Sequence, residues 1–440
     1  MSNCILVTHW TGGDVYPFIR LGKLLWKEGH RVTVVTHCIY ENAVLEAGLF
    51  FEPVDTLKEY ENINRDMHML ADPIGNRADY VNFHLFYHGR ERLLREVKII
   101  ENLCNSDTVI IARYRSSISG MLAAEKHGLR YASLILAPNY FSHMELHNEL
   151  FGKAFCEEIN SARTELGLPL INDWREWLFS PSCILCGWPE WFAQPDETWP
   201  DSACPIGYIR ETDEKEDLFS SESLSEAEKL IEKAACDKKR IAVITGGSSR
   251  MVRRDFYDIA IKACIEAGVY AFVVTPYDEY IPENLPDSVK HIKNISLRKL
   301  MEKTDIVIHH GGMGTINEAT DAAKPQIIMP HLTDGPDNAD RMAKLGTAKK
   351  FPPKMWSVSS VAAAITEMLA EEKKDLCEYY RKLNREIYTE KLWNAAIEKL
   401  TPYVLPKQKE IVLKETKGTT RGTVSREALL ELLRRKRENK

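Results

Sequence analysis

The stretch Ile306-Val307-Ile308-His309-His310-Gly311-Gly312-Met313-Gly314-Thr315-Ile316-Asn317-Glu318-Ala319 decides how this chain folds. An apolar, β-branched run is the signature of a buried parallel strand. Here it passes straight through a glycine-rich turn into a helical pattern, which is half of a βαβ unit. Glycines let a backbone approach an anion closely, and the free N–H groups of a helix start point at it. A histidine at the same place can donate a hydrogen bond to a phosphate oxygen and help a diphosphate leave. Gly-Gly-x-Gly after a strand is by itself common, because many α/β turns need glycine sterically. Two histidines in front and a glutamate on the first helical turns make the anion-site reading much more specific.

The same alternation runs outward in both directions. Upstream, strand patterns over 241–245 and 270–275 flank a helix over 255–267, with Gly246-Gly247-Ser248-Ser249 after the first strand. A helix over 297–303 and a strand over 305–309 lead into the glycine turn, a helix over 315–323 leaves it, and a strand over 326–329 follows. The first fifty residues repeat the plan: a strand over 4–8, the break Gly12-Gly13, a helix over 15–28 ended by Gly29, and a strand over 31–36. Further strands are expected over 108–112 and 131–136, separated by a helix over 119–127. Residues 138–205 are rich in Trp, Pro and Phe, and 211–239 are strongly charged, which fits a surface connection plus a helix.

A chain of 440 residues exceeds what one core normally organises, so two α/β domains are expected. The expected organisation is 1–215, a linker over 216–238, a second domain over 239–375, helices over 376–404 packing back on the first domain, and a basic tail over 405–440. That tail holds 11 Lys+Arg against 5 Asp+Glu, so it carries +6 while the preceding 404 residues carry −12. Its leucines at 429, 430, 432 and 433 would form a short amphipathic helix. It reads either as a solvated tail or as a contact for an acidic partner or membrane surface. The whole chain, 44% hydrophobic with net charge −6, has no global nucleic-acid footprint. No apolar run approaches the ~20 residues of a membrane span. The N-terminus lacks a secretory pattern, and ten scattered cysteines fit reduced thiols, so a cytoplasmic setting is expected. Cys183-Ile184-Leu185-Cys186 has metal or redox spacing but no second ligand pair, and buried structural thiols are the expected reading.

From His309 to Gly346, including 325–330 and 334–339, the sequence resembles the donor-binding signature of family 1 glycosyltransferases. The N-terminal Gly12-Gly13-Asp14-Val15-Tyr16-Pro17-Phe18 is similar to the same family, nearest its sterol, rhamnolipid and antibiotic types. The resemblance covers about residues 1–400. It implies the GT-B architecture: two facing Rossmann-like domains of parallel sheets flanked by helices, the acceptor on the N-terminal one and a nucleotide sugar on the C-terminal one. It also implies inverting, metal-independent transfer to a partly apolar small molecule.

Carried over residue by residue, His310 contacts the donor diphosphate, and Gly312, Gly314, Thr315 and Ser248 supply the turn around the phosphates. Ser296 passes the nucleobase, although the tryptophan that stacks on uracil in plant members is absent. Asp334 meets sugar hydroxyls, and Gly13 lies beside the donor at the start of the first helix. Asp14 is the candidate general base, since a carboxylate of ordinary pKa is ionised near neutrality; helix capping is its other reading. Glu318 can accept both hydrogens of a ribose cis-diol, which favours a UDP-sugar over a dTDP-sugar; a solvated helical glutamate is its other reading. Gly335 stands where the family usually has Gln, so room for a 2-acetamido or deoxy sugar is expected. His9 and the aromatic run 83–88 can line the acceptor cleft or simply pack. Sugar-nucleotide epimerisation, phosphorolysis and a non-catalytic sugar-nucleotide-binding partner are the competing classes.

Overall fold

The computed structural model describes residues 2–70, 72–210, 221–247, 252–253, 255–293, 295–331, 334–387, 393, 396–397 and 400–403. Ser248 and the basic tail lie outside them. Among the described residues, thirteen strands form two sheets. The first contains β1 (Asn3–Val7), β2 (Arg31–Thr36), β3 (Phe50–Pro53), β4 (Thr108–Arg113), β5 (Arg130–Ile135), β6 (Ile184–Cys186) and β7 (Ala203–Pro205). The second contains β8 (Ile241–Thr245), β9 (Tyr270–Val274), β10 (Val289–Ile292), β11 (Ile306–His309), β12 (Gln326–Ile328) and β13 (Ala348–Lys350).

Spatial order is β3-β2-β1-β4-β5-β6-β7 in one sheet and β10-β9-β8-β11-β12-β13 in the other, and the strands of both run parallel. Each sheet therefore reverses direction once, between β1 and β4 and between β8 and β11. Such a switch point opens a crevice at the carboxyl ends of the two strands. The two sheets are thus Rossmann-like, and the chain has the two-domain α/β architecture anticipated from its sequence.

Burial explains why the strands read as unbroken apolar runs: every residue of β1, β4 and β8 is buried, because helices cover both faces. The first helix begins earlier than its apolar periodicity indicates, spanning Gly12–Lys27. Thr11 caps it and Asp14 closes the capping box, which pulls both glycines into the first turn. Its buried face carries Phe18, Leu21 and Leu25, each contributing about 1.5–3 kcal/mol on leaving water. The helix Ser221–Cys236 packs Ala227, Leu230 and Ala234 on the second sheet. Beyond the helix Glu371–Glu386, Trp393, Ile397 and Leu400 return to the core around β1 and β2.

Of the tryptophans in the 138–205 segment, Trp174, Trp177, Trp188 and Trp199 are core, and Trp191 packs against them half-buried. Cys186 is buried in β6 and Cys183 is half-buried just before it. Burial pushes the Cys183 thiol up to about 12 and Cys186 well above its ordinary value, so both stay protonated and act as packing groups.

Candidate active site

The two switch points face one another across a shared cleft of about 990 Å³. From the first domain it is lined by Trp10, Gly13, Asp14 and Arg113, and from the second by Gly247, His310, Gly314 and Asp334, among others. The site is therefore split between the domains, with each half built at strand carboxyl ends.

On the C-terminal side, β11 ends at His309 and the turn passes through Gly311 at φ 91. Gly312 is then the N-cap of the helix Met313–Asp321 and offers no side-chain cap, leaving the first N–H groups of that helix for a ligand. The paired histidines divide their work. His309 is fully buried; its Nδ1 accepts the Gly311 N–H at 3.1 Å, so its proton sits on Nε2 and is donated to Gln326 Oε1 at 2.9 Å. It pins the turn. His310 lines the cleft, and burial lowers its pKa to about 4, so it is a neutral hydrogen-bond donor near pH 7. Its Nδ1 is buried without a hydrogen-bond partner among the described residues.

Glycine fits around that imidazole for a steric reason. A Cβ at Gly247, which also has φ 78, would come within 2.7 Å of His310 Cε1, and one at Gly312 within 2.5 Å of Nε2. Gly314 faces open space and Thr315 lies on the same first turn, also in the cleft wall. Ser296 caps the short helix Leu297–Glu302 by accepting the Lys299 N–H, and it too lines the cleft.

Glu318 also reaches the cleft, but Arg20 of the first domain donates to its Oε1 at 3.0 Å. A further contact joins the domains: Arg210 pairs with Asp321 at 3.5 Å, and Asn384 of the helix Glu371–Glu386, which packs on the helix Met313–Asp321, steadies that carboxylate by donating to Asp321 Oδ1 at 2.8 Å. Gly335 departs from its expected role. It is buried, is absent from the cleft wall, and a Cβ there would sit 3.2 Å from the His310 carbonyl oxygen. Glycine at 335 lets two backbones touch; it does not open room beside a sugar.

On the N-terminal side, Asp14 lines the cleft and is the N3 partner of the capping box, with Thr11 as the N-cap itself. Its Oδ2 accepts the Thr11 N–H at 3.2 Å and the Thr11 hydroxyl at 3.0 Å, which is the helix cap. Its Oδ1 lies 2.7 Å from Arg113 Nη2 at the end of β4, and the carboxylate keeps 19% exposure toward the cleft. Arg113 is locked in turn by donating from Nη1 to Ser116 Oγ at 2.6 Å. Opposite stands Asp334, whose Oδ2 accepts from Asn338 Nδ2 at 3.0 Å while the same amide donates to the Gly311 carbonyl at 3.0 Å. Burial, reinforced by the Asp14 charge, raises the Asp334 carboxyl to about 6.

His9 does not reach the cleft. It is buried with its ring nitrogens on Ser117 Oγ at 2.7 Å and Glu96 Oε1 at 3.2 Å, beneath the end of β1. The 83–88 run divides: Phe83 and Tyr87 are core, while His84 lines the cleft. Four cleft residues gave no sequence signal: Trp10, Arg20, Arg113 and Arg115. Trp10 (φ 85) and Arg115 (φ 66) hold left-handed backbone conformations that bulky residues rarely adopt. Both follow the switch-point strands, β1 and β4.

Comparison with known proteins agrees with this geometry. Residues 4–79 match the family described as glycosyltransferase family 28 N-terminal domain, and residues 273–391 match the erythromycin biosynthesis protein CIII-like C-terminal domain. A sterol 3-beta-glucosyltransferase of Saccharomyces cerevisiae is 24% identical over 78% of this chain, which spans 30% of that relative's length. The NDP-glycosyltransferase YjiC of Bacillus subtilis is 24% identical over 82% of this chain and 87% of its own length. Among solved structures, the glycotransferase of kitacinnamycin superposes with TM-score 0.68 at 17% identity, covering 90% of this chain and 99% of its own. The glycosyltransferase VinC, in complex with dTDP, also gives 0.68 at 16% identity, covering 90% and 98%. Both domain matches, these relatives and these structures support a family 1 glycosyltransferase of GT-B fold.

Proposed function

We propose that the protein transfers a sugar from a nucleoside diphosphate sugar to a hydroxyl of a partly apolar small molecule, with inversion and without a metal. The observation that carries this is the neutral His310 imidazole, set between Gly247 and Gly312 at an uncapped helix start, opposite Asp14 in one cleft. The acceptor O–H gives its proton to the Asp14 carboxylate as its oxygen attacks the anomeric carbon from the face away from the nucleotide. The bond from that carbon to the diphosphate breaks, and the charge released on the leaving oxygen falls to the His310 N–H and the helix N–H groups. Arg113 holds Asp14 aimed; Asp334 meets the sugar hydroxyls. An intact Asp14 and His310 weigh against epimerisation, phosphorolysis and a purely binding role.

UDP is the proposed nucleotide, because Glu318 offers a carboxylate to a ribose cis-diol once Arg20 yields it. dTDP is the second reading, favoured by the dTDP held in the similar VinC structure. The test is mass-spectrometric screening of UDP- and dTDP-sugars against hydroxylated aromatic and polyketide acceptors. Product with the anomeric centre inverted, in the presence of EDTA, is expected. No consumption of any donor would overturn the enzymatic reading, and retention of configuration would overturn the single displacement.

A further inference from the structure

The first-domain half of the cleft carries a cation, Arg115, that no carboxylate among the described residues pairs with. Arg115 follows β4 and sits at the centre of a tight turn, in which the Ser116 N–H bonds back to the Tyr114 carbonyl at 2.8 Å with φ 66 at Arg115. A turn of this hand is strained, typically by about 1–3 kcal/mol, and persists where surrounding structure enforces it. Its effect is to turn the Arg115 side chain into the cleft, where it is half-buried.

There the guanidinium lies over the Tyr140 ring, 4.9 Å from its centre. No described carboxylate pairs with it. Glu158, which shares a small side pocket with Arg115, instead accepts the Arg90 N–H at 2.8 Å. The surrounding wall is aromatic, from Tyr80, His84 and Trp10. Burial lowers His84 to about 3 and His147 to about 4, so neither histidine carries charge near pH 7. Arg113, by contrast, spends its charge on Asp14, with its guanidinium 5.7 Å from the centre of the same Tyr140 ring.

A strained backbone, a half-buried guanidinium without a counter-charge among the described residues and an aromatic wall make a receptor for an anion attached to a flat apolar body. We infer that the acceptor is an anionic aromatic or polycyclic molecule, its carboxylate or comparable acidic group held by Arg115 while a hydroxyl elsewhere on it reaches Asp14. This rests on the transferase reading above, and it separates the chain from its sterol-glucosylating relatives, whose named acceptor is uncharged.

The test compares two fluorescent probes sharing one aryl skeleton: anilinonaphthalene sulfonate, which is anionic, and phenylnaphthylamine, which is not. Their dissociation constants are measured on the wild-type full chain and on Arg115→Gln and Arg115→Lys. The wild type is expected to prefer the sulfonate by about ten-fold or more, the scale of one charge-assisted hydrogen bond. Arg115→Gln should erase that preference while leaving the neutral probe's affinity unchanged, which also reports that the pocket is intact; Arg115→Lys should retain most of it. Equal affinities in the wild type, a preference that survives Arg115→Gln, or no binding of either probe overturns the inference. Donor consumption is followed separately. Loss of all donor turnover with the probe preference intact would sink the transferase reading, and the reverse pattern sinks only this one.

Discussion

Replacing Asp334 by Asn isolates the electrostatics of the cleft. The Asp334 carboxyl titrates at about 6 where an ordinary aspartate has 3.8, chiefly because it is buried and then because it faces Asp14. A raised acid makes the fold bind its proton more tightly than the unfolded chain does. The ionised group therefore opposes folding by about 3 kcal/mol once pH is well above 6. That penalty is negligible below the ordinary pKa, and about one third of it is present at pH 4.5. Asn is isosteric and its carbonyl can still accept from Asn338, so the substitution removes charge and little else. In the absence of nucleotide, Asp334→Asn should melt about 3–7 °C above wild type at pH 7.5, and the gap should shrink by about two-thirds at pH 4.5. Donor KM should rise, because a sugar hydroxyl loses its carboxylate. Differential scanning calorimetry across pH 4–8 measures the first effect and initial-rate kinetics the second. A variant no more stable than wild type at pH 7.5, or a gap independent of pH, would refute the picture of a buried carboxyl confronting Asp14.

Asp14→Asn keeps the helix cap but cannot take a proton, so kcat should fall by about 10²–10⁴ with donor affinity by calorimetry nearly unchanged; full activity would remove Asp14 as base. Gly247→Ala places a methyl where His310 Cε1 lies and demands φ 78 of a residue with a Cβ. Donor kcat/KM should drop by about ten-fold or more while the melting temperature moves only a few degrees. Glu318→Gln should narrow any preference for UDP over dTDP in competition binding, and Arg20→Ala should tighten UDP by freeing the Glu318 carboxylate. An unchanged UDP affinity in both variants would mean that Glu318 does not meet the ribose.

What the sequence made legible follows from locality. Alternating apolar runs and glycine breaks are written over a few adjacent residues, so the two parallel sheets and the turn from β11 into its helix could be read directly. His310 could be placed in the cleft for the same reason. Its neighbour His309 looked equivalent, because nothing local separates a ring turned into the core toward Gln326 from one turned outward. The partners of Asp14 and Glu318 were out of reach: Arg20 meets Glu318 across 298 residues, and Arg113 meets Asp14 only because β1 and β4 are neighbours at the switch point. Left-handed backbone at Trp10 and Arg115 has no compositional mark, since glycine is the residue that advertises it. Gly335 misled for the complementary reason: a missing side chain reads as vacant space, whereas here it is backbone contact with His310.

The return of the chain to the first core limits how these enzymes can be recombined. Trp393, Ile397 and Leu400 pack with β1 and β2, Tyr403 donates its N–H to the Leu129 carbonyl, and Tyr403 also shares a hydrogen bond with Ser180. A chimaera that exchanged the acceptor half at a single crossover near 211–220 would set a foreign C-terminal segment against a core it did not evolve with. Two crossovers, the second just after the Glu371–Glu386 helix, would transplant the acceptor half together with its own clasp.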